Sequence, residues 1–147
     1  STIKKQLTPI LLSELAGCVV GVISVVYIAK EMGASREVIL SLASKSVTTP
    51  IAMEVTKAVG GIPSLTAAVV VGVGLLCAVF GYRTMGFAHV KNPVAQGLSM
   101  GTAAHALGTA TSMDKSEVHG AYASLGLTLN GIFTSLLTPS IIPLILG

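Results

Sequence analysis

The sequence has little charge, because only 10% of its 147 residues are Asp, Glu, Lys or Arg, and tryptophan is absent. Soluble domains carry roughly 25% charged residues, so this chain has too few to cover a water-exposed surface. Apolar residues make up 52% of the sequence, and the mean hydropathy is +0.83. These values exclude an ordinary soluble domain and predict a protein embedded in a lipid bilayer.

The few charges are unevenly distributed along the chain. Four stretches contain no acidic or basic residue: 15–29, 58–82, 92–113 and 118–147. A transmembrane helix needs about 20 mostly apolar residues, which predicts three spans, at residues 10–29, 62–82 and 118–137. The basic residues lie mostly singly between these runs, as they do at membrane interfaces. The net charge of +3 therefore does not indicate nucleic acid binding.

The sequence also has little that would support catalysis or metal binding. Its two cysteines, Cys18 and Cys77, lie in apolar runs without a partner at metal-ligand spacing, which is typical of small buried apolar residues. The HExxH, GxSxG and Walker motifs are missing. We therefore expect no enzymatic activity, no metal site and no cofactor.

Two segments between the predicted spans are too polar for a lipid-facing helix. The first, residues 36–59, contains SKSVTTPIAMEV from Ser44 to Val55. Pro50 removes a backbone donor and clashes with the preceding turn, and the three β-branched residues at 47–49 are poor helix formers. We predict a break at Val47–Pro50, followed by a short helix that starts at Pro50.

The second polar segment, residues 92–114, reads NPVAQGLSMGTAAHALGTATSMD. Its glycines and hydroxyl residues predict another break, near Gly108. After the last span, Pro139 and Pro143 are expected to divide a terminal apolar piece.

A shift of 60 residues aligns the two polar segments, so that Thr49 meets Thr109 and Gly60 meets Gly120. The predicted repeat units are residues 36–83 and 94–143, and paired interrupted segments of this kind mark the binding sites of repeat-built transporters. The predicted fold is thus an all-α, polytopic membrane bundle with two discontinuous helices related by an internal repeat. If the interrupted helices cross the membrane, the two copies are parallel, whereas re-entrant hairpins make them inverted. The Lys and Arg distribution decides neither this nor the orientation.

Interrupted helices in a membrane imply a sheltered cavity, because unpaired backbone groups cannot face lipid. Exposed helix N-termini suit anions, and cationic and hydroxyl side chains beside the breaks would hold a small carboxylate. The candidate substrate-binding residues lie at or next to the two breaks: Lys45, Ser46, Thr48, Thr49, Pro50, Thr102, His105, Gly108 and Thr109.

Several of these residues have an alternative interpretation. Lys45 could extend its side chain to the interface, and His105 could be a neutral packed residue bonded to a carbonyl group. Because histidine changes charge near neutral pH, His105 is also a candidate for proton coupling, together with Glu54 and Asp114, although both acids could instead lie near headgroups. Glu14 is close to the start of its span, so we expect it at the interface, while Asn130 is expected to bond to a neighbouring helix.

Four sequence motifs resemble the LrgB/CidB family of bacterial membrane proteins: KSVTTPIA (residues 45–52), GGIPSLTA (60–67), GLSMGTAAHALGTA (97–110) and GAYASLGLTLNGIFTSLLTP (120–139). The similarity covers nearly the whole chain, and the motif that contains His105 is highly specific. The resemblance implies one multi-pass domain over residues 1–147 in the bacterial inner membrane. It also implies that the chain lacks the N-terminal part of the family, which holds another Pro-rich broken segment.

The resemblance implies two kinds of function. Bacterial members are described as holin-like or antiholin-like regulators of murein hydrolase export and autolysis, which work with a small membrane partner of the LrgA/CidA type. Related proteins, including a plastid glycolate/glycerate carrier and bacterial pyruvate uptake systems, carry small carboxylates. We expect a carrier of small monocarboxylates, with the antiholin-like regulator as the alternative. The expected partners are the lipid bilayer, a small carboxylate, the LrgA/CidA-type protein and further copies of this chain.

Overall fold

The structure, a computed structural model, describes residues 2–146, with side chains from Lys5 onward. It contains six helices within these residues: α1 (Thr2–Glu31), α2 (Arg36–Leu42), α3 (Thr49–Val59), α4 (Pro63–Phe87), α5 (Pro93–Lys115) and α6 (Glu117–Leu146). No strand occurs in the described part of the chain, so the predicted all-α class is confirmed.

Three helices are long and apolar enough to cross a membrane: Lys5–Glu31, Pro63–Phe87 and Glu117–Leu146. These helices match the three predicted spans. In α4, the buried residues are Thr66, Val70 and Gly74, whereas the large side chains of Leu75 and Val79 are exposed. Small or polar groups inside and large apolar groups outside are the arrangement expected for a helix that packs in lipid.

The terminal prolines do not divide the apolar piece that follows the last predicted span, so that prediction was wrong. Pro139 and Pro143 lie inside α6, which continues to Leu146. Proline is tolerated in membrane helices when the surrounding structure compensates for the missing backbone bond. Here Ile142 packs in a buried cluster with Val26 and Leu40, which holds the end of α6 against α1 and α2.

Helices α2 and α3 form a helical hairpin, which we call the first hairpin. Its turn covers residues 43–48, and α3 begins at Thr49. The Ser44 hydroxyl donates to the carbonyl oxygen of Ala52 at 3.1 Å, and the amide of Ile62 donates to the Ser41 hydroxyl at 2.7 Å. Residues at the start of the turn and before it therefore contact residues after it in reverse order, so the chain returns to the end of the bundle from which it entered.

Helix α5 is also a hairpin, which we call the second hairpin, because the chain reverses at His105. This residue has φ 44° and ψ −128°, far from helical values. A Cβ atom added to Gly108 would overlap the carbonyl oxygen of Met100, eight residues earlier, whereas eight residues of straight helix span about 12 Å. The two arms are residues 93–104 and 106–115. The reversal lies three residues before the predicted position, because Gly108 permits the close approach of the arms and does not form the turn.

The two hairpins enter the bundle from opposite ends. Both ends of the second hairpin lie beside the C-terminal part of α4 and the start of α6, since Tyr82 bonds to Ser112 at 2.7 Å and Gln96 bonds to His119 at 2.8 Å. The first hairpin instead packs beside the C-terminal parts of α1 and α6. Of the two alternatives that the sequence left open, opposed entry is the one expected for inverted copies. That the two halves are copies of one repeated unit stays a prediction.

Candidate functional site

The two hairpins meet at Asn130, in the middle of α6. The side chain of Asn130 is buried, and its amide nitrogen donates to the carbonyl oxygen of Ser46 at 2.8 Å and to that of Thr102 at 3.0 Å. Both N–H groups of the amide are therefore used. This residue ties the turn of the first hairpin to the first arm of the second, in agreement with the expectation that it bonds to neighbouring elements.

A cavity of about 640 Å³ lies beside this junction. Its walls come from α1, the turn of the first hairpin, the first arm of the second hairpin, and α6. The polar side chains that line it are Ser13, Glu14, Lys45, Ser46, Asn92, Ser99, Thr102, Asn130 and Thr134. A mostly apolar cavity of this size with a few convergent polar groups is typical of a small-molecule site.

Two residues with ionisable acidic or basic side chains, Lys45 and Glu14, line the cavity. The ammonium group of Lys45 donates one hydrogen bond to the Ser46 hydroxyl at 2.9 Å, and an ammonium has three N–H donors. Glu14 is 3% exposed, and its Oε2 lies 2.5 Å from the Thr102 hydroxyl oxygen. Ionisable residues within membrane segments are costly, so their presence around one cavity indicates a functional site.

The structure brings three of the nine predicted substrate-binding residues into this cavity, namely Lys45, Ser46 and Thr102. Thr48 and Thr49 are partly buried where α3 begins and are not among the lining residues. Pro50 lines a separate pocket together with Glu54. The first hairpin therefore contributes lining residues to the cavity mainly from its turn.

The reversal and the second arm of the second hairpin contain His105, Gly108 and Thr109, and none of the three is among the lining residues of the cavity. His105 is buried, and its Nε2 lies 2.9 Å from the carbonyl oxygen of Val70. The Thr109 hydroxyl donates to the carbonyl oxygen of His105 at 2.9 Å. This geometry corresponds to the alternative in which His105 is a packed residue bonded to a carbonyl group. The contact also holds the chain reversal at His105 against α4.

The other two candidates for proton coupling also lie away from the cavity. Glu54 and Asp114 are exposed, the former on α3 and the latter near the end of α5. Among the residues that the structure describes, no group of three or more His, Cys, Asp or Glu side chains is arranged to hold a metal ion.

Sequence reasoning missed Glu14 as a cavity residue. We expected it at the interface, but α1 begins at Thr2, so Glu14 lies about three turns inside the helix. Thr134 was also missed; its hydroxyl lies 3.4 Å from the sulfur of Cys18, which packs as a buried apolar residue. The available signal for Glu14 was a single carboxylate inside an otherwise apolar run.

The fold and the cavity define a multi-pass helical membrane protein with a cavity at the junction of two hairpins, lined by a few polar groups. The chain belongs to the LrgB family, because the LrgB-like family model matches residues 1–144.

The curated relatives agree with this assignment. The chain is 34% identical over 143 residues to antiholin-like protein LrgB of Bacillus cereus, which covers 97% of this chain and 62% of that protein. The same identity and coverage hold for antiholin-like protein LrgB of Bacillus anthracis. An uncharacterized protein of Haemophilus influenzae is 43% identical over 114 residues, or 78% of this chain and 49% of that protein. The chain thus spans about half to three fifths of the length of these relatives, and no solved structure matches it significantly.

Proposed function

We propose that this chain forms the substrate site of a carrier for small monocarboxylates, of the pyruvate or glycolate type, in the bacterial inner membrane. The observation that carries the proposal is the position of Lys45, which lines a cavity at the junction of two opposed hairpins.

The cavity has the groups that a small carboxylate requires. Lys45 supplies the positive charge, and the hydroxyl groups of Ser46 and Ser99 supply short-range hydrogen bonds. Hydrogen bonds between ionised partners are roughly twice as strong as neutral ones, and more so away from water. The remaining lining is largely apolar, which suits the short carbon chain of such a substrate.

The opposed hairpins also suit transport. A site between interrupted segments that enter from opposite ends can be opened to either end by moving one half of the bundle against the other. Asn130 is the direct connection between the hairpins at this site, so it lies where such a movement would be controlled.

Uptake of labelled pyruvate and glycolate into liposomes that contain the purified protein tests the proposal. We expect saturable uptake by the wild type and, because a hydrogen bond to a charged group contributes about 1.5–3 kcal/mol, a loss of about tenfold or more in apparent affinity for Lys45→Gln. Lys57→Gln is the matched control, since Lys57 is exposed on α3. Absence of saturable uptake by the wild type, or equal affinity in Lys45→Gln, would contradict the proposal.

A second candidate function is that of an antiholin-like regulator of murein hydrolase export, acting with an LrgA/CidA-type membrane protein or with further copies of this chain. It is favoured by the name of the Bacillus relatives, antiholin-like protein LrgB, to which nearly the whole chain is similar. Release of dyes of several sizes from the same liposomes separates the two functions. Leakage that ignores dye size supports a holin-like assembly, whereas selective and saturable flux supports a carrier.

A further inference from the structure

The hydroxyl group of Thr102 lies within hydrogen-bonding distance of two oxygen atoms at once. Its Oγ1 is 2.5 Å from Oε2 of Glu14 and 2.7 Å from the carbonyl oxygen of Leu98. A threonine hydroxyl has one hydrogen, and a carbonyl oxygen and an ionised carboxylate can only accept. Both contacts can be full hydrogen bonds only when a second hydrogen is present, and Glu14 is the partner that can carry it.

We propose that Glu14 is protonated in this state and is the proton-binding site that couples proton movement to carboxylate transport. The Glu14 carboxyl donates to Thr102 Oγ1, and the Thr102 hydroxyl donates to Leu98. This inference rests on the proposed function, and it assigns the coupling to a residue that lines the cavity, unlike His105, Glu54 and Asp114.

The surroundings of Glu14 favour its neutral form. Helix α1 packs against α2, α5 and α6, and the cavity residues that α5 and α6 contribute are uncharged, while α2 contributes none. The titratable groups that share the cavity with Glu14 are Lys45, from the turn of the first hairpin, and Cys18, one turn further along α1. An ionised carboxylate in such an environment is costly unless a cation pairs with it.

A series of hydrogen-bonded residues connects the acid to the ammonium group. Glu14 contacts Thr102, whose carbonyl oxygen accepts from Asn130; Asn130 also donates to the Ser46 carbonyl, and the Ser46 hydroxyl accepts from Lys45. Glu14 and the Lys45 ammonium group are thus both connected to the junction between the hairpins at Asn130.

This geometry explains why substrate and proton would move together. With Glu14 neutral, a bound carboxylate and Lys45 leave the cavity without net charge. Loss of the proton adds a second negative charge, which repels the substrate and competes for Lys45. The proton is taken from water on one side and released to water on the other, and no bond in the substrate is made or broken.

The test compares two transport measurements on Glu14→Gln, in which an amide replaces the neutral acid and can still donate to Thr102. We expect the variant to retain exchange of labelled for unlabelled substrate across the membrane but to lose accumulation driven by a pH gradient. Glu31→Gln, at the exposed end of the same helix, should retain both. Gradient-driven accumulation by Glu14→Gln would overturn the inference and leave the carrier intact, whereas absence of exchange by the wild type would overturn the proposed function.

Infrared spectroscopy tests the protonation without transport. The wild type at neutral pH should show the carbonyl band of a protonated carboxylic acid, and this band should shift in Thr102→Val, because the acid loses its acceptor. Absence of the band, or an unchanged band in folded Thr102→Val protein, would overturn the assignment to Glu14.

Discussion

The side-chain amide of Asn130 lies 2.8 Å from the main-chain carbonyl oxygen of Ser46, which joins the middle of α6 to the turn of the first hairpin. Buried carbonyl groups need a hydrogen-bond partner. The Ser46 carbonyl lies in a turn, so the regular hydrogen bonds within a helix do not supply this partner. Because the second N–H of the amide serves Thr102 in the other hairpin, one side chain stabilises the backbone at both interrupted segments.

We predict that Asn130→Leu, which keeps the approximate volume, destabilises the protein by about 2 kcal/mol or more, since each buried group left unsatisfied costs about 1–3 kcal/mol. Thermal unfolding in detergent micelles measures the loss. Thr128→Val is the control, because Thr128 is exposed on the same helix and its hydroxyl bonds only within that helix, to Ser124. Equal stability of the two variants would show that the Asn130 amide does not hold the hairpins.

Close packing between α5 and α6 leads to a second prediction. A Cβ atom added to Gly101 would overlap the backbone carbonyl group of Ala123, whereas one added to Gly72 would meet nothing within 4 Å. A backbone clash cannot be relieved by rotating a side chain, so we expect Gly101→Ala to lose about 1–3 kcal/mol of stability. Gly72→Ala should be unchanged or gain up to about 1 kcal/mol, because alanine favours helix. The same unfolding measurement applies, and a stable Gly101→Ala variant would contradict the observed packing.

The sequence predicted those parts of the fold that depend on local chemistry. Charge-free runs of apolar residues indicate membrane helices whatever their neighbours in the fold. Pro50 and its β-branched neighbours disfavour a continuous helix through local chemistry alone, independently of tertiary contacts. The second break is predicted near Gly108, because glycines and hydroxyl residues punctuate that segment. The structure places it at His105, where the contact with the Val70 carbonyl supports a conformation that the sequence does not reveal.

The candidate site was predicted only in part, for a similar reason. Lys45 and Thr102 were found because they are polar residues close to the two breaks. Glu14 was missed because its contact with Thr102 joins residues 88 positions apart, and no local pattern brings α1 to that wall of the cavity. Thr109 is also polar and close to a break, but it does not line the cavity. Its hydroxyl bonds instead to the backbone of the hairpin itself.

The positive φ angle of His105 leads to a third prediction. Inside a regular helix, glycine is less stable than alanine by about 1 kcal/mol, but at φ 44° glycine is unstrained and alanine is not. We therefore expect His105→Gly to be more stable than His105→Ala in detergent unfolding, although both lose the contact with Val70. Ala106→Gly, on the adjacent residue of the second arm, should show the ordinary loss of about 1 kcal/mol. The opposite order at position 105 would mean that the chain does not reverse there.

The opposed entry of the hairpins leads to the last prediction, which concerns labelling from the two sides of a membrane. Single cysteines would be placed at exposed positions near the ends of the hairpins, as Arg36→Cys, Lys57→Cys, Lys91→Cys or Lys115→Cys, in a protein whose native cysteines are alanine. A hairpin returns to its own side, so we expect positions 36 and 57 to react with an impermeant thiol reagent from one side and positions 91 and 115 from the other. The reagent is added to sealed vesicles of known orientation before and after permeabilisation. If positions 91 and 115 reacted from opposite sides, α5 would cross the membrane; the cavity would then lose the opposed hairpins on which the carrier proposal depends.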